Sequence, residues 1–134
     1  MYAQTGTINT SDLRAKENIS TSALGLSFVN QLNPVSYKFK NYTTTSPPDK
    51  DGNTTQITHT FTRTHYGMIA QEVKAVMDGL NLTTNQFAGY IYDQATDTYG
   101  LRYEEFISPM IKAIQELSAQ VSAINAKLIA HNIT

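Results

Sequence analysis

ISPMIKAIQELSAQVSAINAKL, residues 107–128, repeats its apolar side chains with alternating three- and four-residue spacing. Ile107, Met110, Ile114, Leu117, Val121, Ile124 and Leu128 occupy successive a and d positions of a heptad, while Ser118, Gln120, Ser122, Asn125 and Lys127 between them are polar. A helix packed on its own domain carries a broader apolar face; a stripe this narrow is the seam of a coiled coil. The a positions Ile107, Ile114, Val121 and Leu128 and the d positions Met110, Leu117, Ile124 and His131 mix β-branched and unbranched residues. That mixture does not specify a dimer, and isoleucine at both a and d leans toward three strands. The spacing therefore predicts a helix over about 104–131 and a parallel homotrimer joined through it. A lone amphipathic helix is the competing reading.

Composition sets the frame for that helix. The chain has 134 residues, 40% of them hydrophobic, enough for one domain but short for a complete core, so self-association is the expected supplement. Ten Lys and Arg stand against eleven Asp and Glu, a net charge of −1, and the basic residues are scattered, so no nucleic-acid surface is expected. No apolar run approaches the ~18 residues of a membrane span. There is no cysteine, and His59, His65 and His131 do not have the spacing of metal ligands; neither metal nor cofactor is expected.

Working back from the helix, Phe87–Tyr92 and Tyr99–Tyr103 read as strands of a tight hairpin around DQATDT. Gly67–Met77, with Ile69, Val73, Val76 and Met77 at helical spacing, reads as a helix with one buried face. Residues 40–65 hold Pro47-Pro48 and Asp51-Gly52 between Thr-rich flanks, which fits an extended β-hairpin with a polar tip or a flexible surface loop. Val35-Ser-Tyr-Lys-Phe alternates as a strand does, and Ser11 to Leu32 suggests two short helices broken at Gly25 and stopped by Asn33-Pro34. The expected class is α+β and mainly helical: short helices, β-hairpins and a long C-terminal helix. Residues 1–10 are small and polar and read as the end of an upstream fibrous or β-rich region, with residues 11–134 as the folded domain.

Residues 9–20, NTSDLRAKENIS, have two readings. In one, Ser11 is the N-cap of a helix, with Asp12 near the positive end of its dipole. In the other, Ser11 is a nucleophile and Lys16 its base, a variant of the serine triad in which lysine replaces histidine. On an ideal α-helix the two side chains would point about 140° apart, so a dyad needs Ser11 outside the first turn or a Lys16 from another subunit.

Four segments in order, TSDLRAKENI, GLSFVNQLNPVSYKF, HYGMIAQEV and YEEFISPMIKAIQELSAQV, closely resemble the C-terminal intramolecular chaperone auto-processing domain of phage tailspike and tail-fibre proteins, the endosialidase type. A related domain occurs in the myelin regulatory factor. The resemblance runs over roughly residues 9–128 and weakens in the Thr-rich insert and around residue 95. It implies a homotrimer that guides folding of an upstream β-structured fibre or tailspike and then cuts itself free at the bond preceding the serine of SDxRxK. That bond is Thr10-Ser11, with Ser11 as nucleophile and Lys16 as base. Residues 40–65 match the family's protruding arm. The implied setting is a virion tail-fibre or tailspike precursor assembled in the host cytoplasm; a module that trimerises and caps without cutting is the alternative.

The chemistry sets one condition. A hydrated lysine holds its proton at neutral pH and cannot act as a base, so the site must be dry or carry a second cation. Leu13, Ile19 and Ile69 are the apolar candidates and Arg14 is the cation. His65, Gln71 and Glu72 are candidates to orient the amine or stabilise the oxyanion, or else belong to a strand end and a solvated helix face. Asp12 is a dipole partner first and a catalytic candidate second.

Overall fold

A computed structural model describes residues 8–132, so the upstream remnant expected at residues 1–10 lies outside the described residues except for Ile8, Asn9 and Thr10. In chain order the elements are a 3-10 turn (Leu13–Ala15), α1 (Leu26–Val29), β1 (Val35–Tyr37), β2 (Tyr42–Thr45), β3 (Gln56–His59) and β4 (His65–Gly67). There follow α2 (Ala70–Gly79), β5 (Tyr90–Asp93), β6 (Thr98–Leu101), a second 3-10 turn (Tyr103–Phe106) and α3 (Ile107–Asn132). The class is α+β, with a long C-terminal helix and small antiparallel hairpins.

The heptad stretch forms one helix of 26 residues, about 39 Å long at 1.5 Å per residue. Pro109 lies in its first turn, where a missing N–H removes no helical hydrogen bond. α1 packs on this end of α3, burying Pro109 and Ala113. Gly25 makes the close approach possible, because a Cβ there would collide with the side chains of Lys112 and Glu116. Beyond Glu116 every described residue of α3 is exposed, so about 24 Å of helix projects from the body.

The core is small and aromatic. Phe28 of α1, Phe87 and Phe106 meet pairwise, with ring centroids 5.4, 6.2 and 5.1 Å apart. Val73 and Met77 of α2 and Tyr90 of β5 complete it. Phe28 is 1% exposed. Phe28→Ala should lower stability by about 3–5 kcal/mol, read from the urea midpoint; a loss below about 1 kcal/mol would show that the three rings are not the centre of the fold.

β1 to β4 make one interrupted ribbon. β1 pairs with β4, Val35 opposite Gly67, and further out β2 pairs with β3, Tyr42 opposite His59. Residues 38–41 lead out and residues 60–64 return, so the return side carries one extra residue and the ribbon is bulged. The Asn41 side-chain oxygen accepts from the Phe61 N–H at 2.8 Å across that gap. At the tip, Asp49 Oδ1 accepts from the N–H groups of Asp51 and Asn53, and Gly52 takes φ +81°. Of the two readings of residues 40–65, the extended hairpin is the one found.

Three expectations shift. α2 begins at Ala70 rather than Gly67, because Gly67 ends β4, and Ile69 at the helix cap is 43% exposed. The helix expected over about 104–131 begins in a 3-10 turn and becomes α-helical at Ile107. The two helices expected between Ser11 and Leu32 shrink to one 3-10 turn and one α turn. Asn18 stands at φ 55°, the left-handed region, and Ile19-Ser-Thr-Ser after it is poor in helix formers. Gly25 starts α1 rather than breaking a longer helix.

Candidate functional site

Ser11 and Lys16 flank the first 3-10 turn, and the turn brings them together. Lys16 at its end has extended backbone, φ −120° and ψ 149°, and its N–H returns to the Leu13 carbonyl at 3.1 Å. The Lys16 ammonium then donates to Ser11 Oγ at 2.8 Å within the same chain. The 140° separation of an ideal helix does not apply, because both residues lie outside the helical turn. Ser11 is not the cap either. Asp12 is, its Oδ1 accepting the Arg14 N–H at 2.8 Å, since a carboxylate is the stronger acceptor for an orphan donor.

The charges around the pair differ from the expected arrangement. The Arg14 guanidinium folds back on the Asp12 carboxylate, Nη2 to Oδ2 at 2.8 Å, and both groups remain in water. The hydrogen bond from Arg14 holds the Asp12 carboxyl below its ordinary range and raises the guanidinium above its own. Arg14 is thus paired with Asp12. The dry surroundings are also not built by one chain. Ser11 and Lys16 are exposed, and Leu13 and Ile19 turn 71% and 62% of their surface outward.

A family model described as chaperone of endosialidase, Peptidase S74, matches residues 11–82, more than half of the chain, and the match begins on Ser11. The chain belongs to the chaperone of endosialidase family. No curated protein and no solved structure matches it. Membership assigns this chaperone of endosialidase domain a chaperone role within a family named for serine peptidases. The match ends before α3, so the projecting helix lies outside it.

The other predicted residues of this chaperone of endosialidase chain sit elsewhere in the single subunit. His65 stacks on Tyr37 with ring centroids 5.6 Å apart and meets Phe39 edge-on at 5.0 Å. Glu72 accepts from the Asn33 side-chain amide at 3.1 Å, tying α2 to the loop before β1. Gln71 lines a cavity of about 460 Å³ with Tyr37, Phe39 and Tyr103. Among the described residues, no hydrogen bond joins His65, Gln71 or Glu72 to Ser11 or Lys16. Among them, too, no group of three or more His, Asp or Glu could hold a metal, and no helix is long and apolar enough to cross a membrane.

The predicted seam is equally bare. Ile107, Met110, Ile114, Leu117, Val121, Ile124 and Leu128 are all exposed, Ile114 to 67%. Sequence reasoning missed Tyr103, whose hydroxyl accepts from the Met68 N–H at 3.1 Å and so fixes the entry to α2 against the entry to α3. Its signal was weak: one more tyrosine in a Tyr-rich strand, with a partner 35 positions away.

Proposed function

We propose that this domain is a C-terminal intramolecular chaperone that trimerises through α3, assists folding and assembly of an upstream β-structured tail-fibre or tailspike trimer, and releases itself once per chain at Thr10-Ser11. The observation carrying this reading is the 2.8 Å contact between Lys16 Nζ and Ser11 Oγ, one residue after the bond to be cut. With the amine neutral, the same separation lets the hydroxyl donate. Lys16 takes the proton as Ser11 Oγ attacks the Thr10 carbonyl carbon, giving a cyclic tetrahedral intermediate. Its collapse breaks the C–N bond, Lys16 returns the proton to the Ser11 nitrogen, and the Thr10 acyl group rests on Oγ as an ester. Water hydrolyses that ester, leaving a Thr10 carboxylate and a free Ser11 amine. Attack by Ser11 of a neighbouring chain, which closes no ring, is the other route.

The exposed seam supports trimerisation, and cleavage then requires that assembly cover Lys16 with apolar surface. Residues 40–65 would serve as the arm that grips the upstream trimer. The setting is a virion tail-fibre or tailspike precursor assembled in the host cytoplasm. A non-cutting trimerisation cap is the second reading, favoured by the exposure of Ser11 and Lys16. A reporter protein fused ahead of residue 1 separates them on a denaturing gel. Release from the native sequence and none from Ser11→Ala supports self-cleavage; an intact native fusion supports the cap.

A further inference from the structure

Two apolar cavities run along one flank of α3. The first, about 480 Å³, is lined by Val29, Leu32, Pro34, Phe106, Ile107 and Met110, with Met68, Tyr103 and Glu104 at its edge. The second, about 310 Å³, continues it between α1 and the Met110, Ala113, Ile114 and Leu117 face of α3. With Ile107 at a heptad a position, Phe106 and Ala113 fall at g, so both cavities lie on the g flank. The e flank is different. It carries Ile111, an aliphatic residue 52% exposed, followed one heptad later by Ser118.

In parallel helices in register, an e residue faces the g residue five positions earlier on its neighbour. Ile111 of one copy therefore stands at the level of the buried Phe106 of the next, beside the larger cavity, while the smaller Ser118 stands at the level of Ala113, which α1 already covers. A projection on one flank and a recess on the other make a head-to-tail contact, which closes into a ring under rotation rather than under a twofold. The occupant this geometry selects is a second copy of the chain, since the recess is continuous with the exposed a and d residues Ile107, Met110, Ile114 and Leu117. We propose that Ile111 of each neighbouring copy fills the recess formed by Val29, Leu32, Pro34 and Phe106, so that the trimer contact extends from the helix seam into the globular body. The proposal rests on the trimer reading above and adds to it a named interlock at the body.

The chain has no cysteine, so disulfide capture has a clean background. The double variant Leu32→Cys/Ile111→Cys, oxidised and run without reductant, should shift to bands of two and three chains, while either single variant shows neither band. Ile124→Cys, at a d position inside the seam, should give a two-chain band whenever parallel helices associate. If Ile124→Cys links and the Leu32–Ile111 pair does not, the interlock is wrong and the parallel helix association stands. If neither links, the trimer reading fails and takes the interlock with it. If Leu32→Cys links instead to Ile19→Cys, the N-terminal segment occupies the recess and the proposal is overturned.

Discussion

Lys16→Ala is expected to slow scission of the Thr10-Ser11 bond by roughly 10²–10⁴-fold, the usual worth of a positioned base. Lys16 is the side chain that hydrogen-bonds Ser11 Oγ, and Arg14 is tied to Asp12. Lys16→Arg should be nearly as slow, because a guanidinium keeps its proton in any protein environment. Since Lys16 is exposed, neither change should alter the unfolding free energy of the subunit by more than about 0.5 kcal/mol. Cleavage of the reporter fusion, followed over time on a gel, reads the rate. A Lys16→Ala chain that cuts at the native rate would remove lysine from the mechanism.

Ile124→Asp should reduce the assembled species to one chain. In the single subunit Ile124 is 56% exposed and lies on the projecting part of α3, so aspartate there disturbs no packing in the body. In a threefold seam the same position brings three carboxylates into one desolvated layer, at a cost of several kcal/mol, and forfeits about 1.5–3 kcal/mol for each isoleucine no longer buried. Light scattering should show the mass fall threefold while the far-ultraviolet spectrum keeps the signal of the folded body. Retention of the native mass would mean that the chains associate by some other face.

Much of this architecture was legible because periodicity and turn chemistry carry it. The a/d repeat marked α3, the i, i+4 pair Val73 and Met77 marked the buried face of α2, and Asp51-Gly52 at the arm tip fitted a hairpin as one of two readings. The segment from Ser11 to Leu24 was harder. Its composition allows a helix, and the outcome turned on Asn18 in the left-handed region and on Asp12 taking the cap. The site was legible as a pair of residues and not as a place. Ser11 and Lys16 were picked out by motif, but their contact depends on a 3-10 turn that ideal-helix geometry does not describe. Residues such as Leu13 and Ile19 that were expected to dry the amine face outward, because one chain of this size lacks the surface to cover them. Tyr103 could not be singled out, since its acceptor role depends on tertiary placement alone.

In the proposed mechanism, joining three chains is what makes the Ser11–Lys16 pair reactive. Timed cleavage of the reporter fusion in the Ile124→Asp background, beside the native sequence at the same pH and chain concentration, tests it directly. Scission should be at least about 10²-fold slower in the single-chain variant, with Ser11 and Lys16 both still present. Equal rates in the two proteins would contradict it.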